Sequence, residues 1–195
     1  MAKHHDPILV AYASRGGSTA GVAAEIGRRL TERGLAVEVL PMAEVGDIAG
    51  YRAVIAGSAI RRERWLPEGM DFMRRHQAEL AGKPFAAFLV CLALAAREPR
   101  RRERARQTAA GWLEPVRSLA GPVSEGLFAG VLDVQAIPEP GWRLLGRLVA
   151  GLRIVPEGDH RDWAAIRGWA DALPARLAQP TTGGLRRGLS ARRPR

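Results

Sequence analysis

A short apolar run, Ile8-Leu9-Val10-Ala11-Tyr12-Ala13, leads into Ser14-Arg15-Gly16-Gly17-Ser18-Thr19, and an amphipathic pattern of helical period follows at once. This order of strand, small hydroxyl-rich turn and helix constrains the chain more than any other segment. It describes an anion cradle at a helix N-terminus. Gly16 and Gly17 let the backbone turn tightly and approach a ligand. Ser14, Ser18 and Thr19 offer three hydroxyl donors, and the positive end of the helix dipole adds a favourable field. Arg15 either adds charge there or points into solvent. No Gly-Lys-Ser/Thr follows, which argues against a nucleoside triphosphate loop. The adjacent glycines also miss the G-x-G-x-x-G spacing of dinucleotide-binding folds. The alternative is a plain Gly/Ser turn; its place after the N-terminal strand favours the cradle.

Beyond the turn, strand and helix patterns alternate. Residues 8–13, 35–40, 52–57 and 85–91 read as strands, and a fifth lies within 123–132. Helical patterns cover 19–33, 67–81, 100–119 (interrupted by Gly111 and Pro115) and 162–178. Gly34 is placed to stop the first helix, and Pro67 to start the second. Phe85–Cys91 is almost wholly apolar, as a strand buried on both faces must be. The fold class is therefore α/β: a five-stranded parallel sheet, doubly wound in the flavodoxin-like order, with helices on both faces. Ligands of such sheets bind beyond the carboxyl ends of the strands, which nominates loops 14–19, 58–66 and 92–99. One domain is expected over 1–178, with an insertion at 133–161, followed by a basic tail at 179–195 expected to be disordered.

The charge needs locating before it is interpreted. The net charge is +10, and Arg186, Arg187, Arg192, Arg193 and Arg195 in the acid-free tail account for half of it. A second cluster comprises Arg97, Arg100, Arg101, Arg102, Arg104 and Arg106, offset only by Glu98 and Glu103. Either could attract an anionic lipid, nucleic acid or an acidic substrate. With only two lysines, Lys3 and Lys83, a solvated surface in an arginine-favouring proteome is the plainer account of the tail. The cluster stays open. Nucleic acid is disfavoured because no aromatics interleave the arginines. The single Cys91 excludes an internal disulfide. No metal is expected, since the histidines lack ligand-like spacing. The longest apolar run, Phe85 to Ala96, is too short to cross a bilayer, and the start of the chain lacks a secretory pattern. A cytoplasmic protein is expected. Trp142, Leu145, Val149 and Leu152 form a helical stripe within 141–152, so peripheral contact with the inner face of a membrane is a further expectation. The competing reading is a helix packed on the domain or at a dimer interface.

The hydroxyl, glycine and threonine positions Ser14, Gly17 and Thr19 resemble the flavodoxin loop that holds the 5′-phosphate of FMN. Over roughly residues 8–178 the chain is similar to flavodoxin-like menaquinone-dependent protoporphyrinogen IX dehydrogenases and related flavodoxin-domain proteins. The further segments carrying the resemblance are Gly57-Ser58-Ala59-Ile60-Arg61 with Trp65, Arg74-Arg75-His76, the Trp142 insertion, and Asp159-x-Arg161-Asp162-Trp163 leading into the last helix. The resemblance implies an FMN-dependent oxidoreductase with a quinone or a redox protein as partner. It implies a phosphate held by Ser14, Arg15, Gly16, Gly17, Ser18 and Thr19. Ser58, Ala59 and Ile60 would line the flavin, with Trp65 over one face; Leu92, Ala93, Leu94 and Ala95 would approach its other edge through backbone groups. No catalytic side chain is nominated, because no acid or base stands out near these loops. Two alternatives remain: an electron carrier without a substrate of its own, against which +10 argues because such carriers are usually acidic, and a flavin-free binding or regulatory module, suggested by the charged 61–65 loop.

Overall fold

The computed structural model describes residues 6–133 and 157–178. Five parallel strands form its sheet: β1 (Ile8–Ala13), β2 (Val37–Pro41), β3 (Ala53–Arg61), β5 (Phe85–Cys91) and β6 (Ser124–Ala129), in the order β2-β1-β3-β5-β6. A short β4 (Arg64–Trp65) folds back antiparallel on the end of β3. The expected α/β doubly wound architecture is thus the observed one. Its cause is visible in the strands. Ile8, Leu9, Val10 and Ala11 are fully buried, as is nearly all of β5, so both faces of the sheet need covering.

Alternate side chains enter two cores. Leu9, Ala11, Ala87 and Leu89 face α2 (Pro67–Arg75), α3 (Gln77–Leu80), α4 (Pro99–Gly111) and α5 (Glu114–Leu119). Ile8, Val10, Ala86 and Phe88 face α1 (Ser18–Glu32) and α6 (Trp163–Leu177). Phe88 fills the space its neighbours leave open. A Cβ on Gly57, its partner on β3, would fall 1.9 Å from the Phe88 ring, so only glycine fits there. The ring also meets Phe128 at 6.2 Å and Trp169 at 6.1 Å. On the surface, Asp171 of α6 takes Arg29 of α1 and Arg33 just after it, at 2.7 and 3.1 Å, and Arg167 reaches back to Glu25.

Several elements differ from the sequence-based expectation. The helix expected over 67–81 breaks at His76, which is buried and packed on Phe72 at 4.8 Å. The helix expected over 100–119 is two, α4 and α5, parted where Gly111 and Pro115 fall. The third strand runs on through Ser58–Arg61 instead of ending at Gly57. The last strand divides: after β6 the chain leaves the sheet as β7 (Val131–Leu132), which pairs antiparallel with β8 (Gly158–Asp159). The tail 179–195, most of the insertion and the amphipathic 141–152 segment lie outside the described residues. Among the described residues, no helix is long and apolar enough to cross a membrane.

Candidate functional site

The order of the sheet reverses between β1 and β3, whose last paired residues are Ala13 and Ser58. A crevice opens at such a switch point, beyond the carboxyl ends of the strands. The Ser14–Thr19 turn sits there. Gly17, at φ 80°, is the N-cap residue of α1, a backbone conformation that suits glycine. No side chain caps the helix, and the first turn holds no acid. The first amides of α1 are therefore left for a ligand. Thr19 is fully buried, yet its Oγ1 has no hydrogen-bond partner among the described residues. The Oγ of Ser14 is likewise buried and unpartnered. Two orphaned hydroxyls beside open helix amides fit a phosphate ester, which accepts from all of them. Arg15 is exposed and lies 3.5 Å from Glu68 of α2.

A cleft of about 320 Å³ adjoins this turn. Its lining includes Tyr12, Ser14, Gly17, Pro41, Met42 and Glu68. Sequence reasoning missed Tyr12, Pro41, Met42 and Glu68, because separate elements bring them in: β1, β2, the 3₁₀ turn that follows it, and α2. Glu68 also corrects the expectation that no acid stands near these loops.

The second loop is built differently from its expected role. Ser58 is fully buried; its Oγ donates to the Ala59 carbonyl at 2.8 Å and accepts from the Leu66 amide at 3.0 Å. That hydroxyl pins the hairpin, and its one proton is already donated. Trp65 is 4% exposed and lies in the core beside Gly69, so the expectation of a free ring face for stacking is corrected by its burial. Ala59 and Ile60 are half-buried at the strand end. The hairpin turn places Arg62 at φ 51° and Glu63 at φ 62°, left-handed positions that two-residue hairpins usually fill with Asn and Gly.

The third loop, Leu92–Ala95, is a single 3₁₀ turn. Leu94 and Ala95 point inward, Ala95 against Leu132, while Ala93 is exposed and Leu92 half-buried. Cys91, just before it, is buried, and burial pushes its thiol up to about 11, so it stays protonated at neutral pH. The β7–β8 ribbon reaches toward α1 from the opposite flank. Gly130 packs beside Ser18, and Arg161 lies over Gly21 in the first turns of α1. The Arg161 guanidinium is held by Asp159 at 2.6 and 2.9 Å and covers the Trp163 ring at 4.4 Å. The arginine in turn keeps the Asp159 carboxyl below the usual range. The sequence-expected site residues thus divide. Ser14–Thr19 form one cradle, Ala59, Ile60 and the 92–95 turn lie at neighbouring strand ends, and Ser58 and Trp65 are inside the protein.

Among known families, the profile described as "Flavodoxin domain" matches residues 9–138, more than half of the chain. Solved structures with similar folds include a flavodoxin from the domain Archaea, at 16% identity and a TM-score of 0.52, covering 89% of this chain and 99% of that one. Oxidised Flavodoxin 2 from Bacillus cereus matches at 22% identity and 0.53, covering 87% and 98%. An oxidoreductase from Corynebacterium diphtheriae matches at 15% and 0.54, covering 89% and 97%. At such identities these likenesses concern the fold. No curated protein sequence matches the chain.

Proposed function

This chain belongs to the flavodoxin-domain family, and from that premise we propose that it is an FMN-binding redox protein working as an oxidoreductase. The observation that carries the reading is the pair of buried, unpartnered hydroxyls of Ser14 and Thr19 beside the uncapped start of α1. When bound, FMN supplies hydride and electron transfer. The chain's own residues bind and orient. Ser14, Gly17, Ser18 and Thr19 hold the phosphate through hydroxyl and amide donors. Ala59, Ile60 and the 92–95 turn, at the neighbouring strand ends, would offer apolar and backbone surface to the flavin. The flavin-free alternative leaves the two orphaned hydroxyls without a purpose. An absorption spectrum of purified protein, taken after incubation with FMN and desalting, tests the reading: retained flavin bands support it, and a folded, colourless protein refutes it.

The finer reading is a quinone-linked enzyme similar to protoporphyrinogen dehydrogenases. It is supported by the Asp159-x-Arg161-Asp162-Trp163 segment, part of the resemblance, which packs over the first turns of α1 next to the phosphate cradle. Oxidation of protoporphyrinogen with menaquinone as acceptor is its test; flavin-loaded protein inert toward both, yet exchanging electrons with a redox protein, would move it to the carrier class.

A further inference from the structure

The arginines of this chain are handled in two opposite ways. On α1 and α6 they are neutralised. Arg28 pairs with Glu25 and Glu32, Arg29 and Arg33 with Asp171, and Arg167 with Glu25. On α4 they are not. The side chains of Arg97, Arg100, Arg104 and Arg106 are exposed and have no ion pair or hydrogen bond among the described residues. Glu98 is occupied as the N-cap, accepting from the amides of Arg100 and Arg101, and Glu103 holds Gln107.

This arrangement works against the helix that carries it. Arg100, Arg101 and Arg102 stand in the first turn of α4, which holds no acid, at the positive end of its dipole. Arg100 and Arg104, and Arg102 and Arg106, are like charges four apart. Local stability does not explain such a cluster, and an arginine-rich composition does not either, since α1 pairs its arginines. The cluster also has a definite place. The start of α4 follows the 92–95 turn directly and packs on it, and Arg102 donates to the Ala96 carbonyl at 3.1 Å. It therefore flanks the ligand edge of the sheet.

We propose that the N-terminal half of α4 is the docking surface for a partner protein with a carboxylate-rich face, one that exchanges electrons at the adjacent crevice. This rests on the flavin-redox reading above. Guanidinium groups pair bidentately with carboxylates and steer encounter over long range. The exposed face of α4 offers arginine, glutamate, glutamine and threonine but no large apolar residue to enter a bilayer. That composition favours an acidic protein over a lipid surface.

The test compares the full chain with a variant carrying Arg97→Gln, Arg100→Gln, Arg104→Gln and Arg106→Gln. All four side chains are exposed, so unfolding curves of the two should coincide, and bound flavin is read separately by absorbance. Binding is titrated with two carboxylate-rich probes, an acidic ferredoxin and poly-glutamate, at low and high salt. Anionic phosphatidylglycerol vesicles and duplex DNA serve as competitors for the assignment. The expected result is a roughly tenfold or greater weakening of binding to the acidic probes at low salt, vanishing at high salt. Equal binding by both proteins overturns the proposal, as does a larger loss toward vesicles or DNA than toward the acidic probes. Because the titration needs no flavin, a colourless protein whose acidic-probe binding still depends on α4 would refute the cofactor reading and the electron exchange while leaving the docking surface for an acidic partner.

Discussion

Replacing Thr19 with valine should push two quantities in opposite directions. The side chain is fully buried, and its hydroxyl has no partner among the described residues. A buried, unsatisfied polar group costs about 1–3 kcal/mol. Valine keeps the shape and the β-branch, so packing and helix propensity change little. The flavin-free protein should therefore gain about 1–2 kcal/mol, or roughly 2–8 °C in Tm for a domain of this size. The phosphate site loses a hydrogen bond to a charged acceptor, worth about 1.5–3 kcal/mol, so the FMN Kd should rise about 10- to 150-fold. Urea unfolding of flavin-free protein gives the first number, and quenching of flavin fluorescence gives the second. The increase in Tm on adding FMN should also shrink in the variant. A variant that is less stable without flavin, with unchanged FMN affinity, would refute the reasoning. The hydroxyl would then belong to the core rather than to the ligand.

Two further perturbations probe the surroundings. Glu63→Gly should stabilise the protein by about 0.5–1 kcal/mol, because relief of left-handed strain in an exposed residue outweighs the added chain entropy; urea midpoints that fall or stay level would show that the hairpin is not strained. Acid should loosen α1 from α6. Hydrogen bonds from Arg28 and Arg167 hold Glu25 down to about 2, against burial, and Arg29 and Arg33 depress Asp171. A depressed carboxylate contributes stability that is complete above its unfolded value and lost as pH falls through its folded one. Stability should thus decline as pH falls from near 4.5 toward 2, and Glu25→Gln should flatten that decline in a pH series of unfolding curves.

The sequence by itself determined the layered architecture. Strands such as Phe85–Cys91 are apolar on both faces, and helices of 3.6-residue period stand between them; short-range composition carries that information. The Ser14–Thr19 turn was legible too, because its hydroxyls and glycines are neighbours in the chain. Gly111 with Pro115 marked the break between α4 and α5 for the same local reason. What the tertiary structure decided is wherever distant segments compete for one space. Trp65 read as a stacking aromatic from its position after β3, but the Ser58 hydroxyl draws the Leu66 amide back and the ring is carried into the core. Glu68 carried no signal until α2 brought it to the Ser14 turn beside Pro41 and Met42. The split of the last strand had no local sign, because β7 finds its partner about 27 residues away at β8. The arginine cluster was plain in the sequence, yet its meaning was not. Only the fold shows that Glu98 and Glu103 leave Arg97, Arg100, Arg104 and Arg106 without an ion pair among the described residues, while Glu25, Glu32 and Asp171 match the arginines of α1, and that this charge sits beside the 92–95 turn.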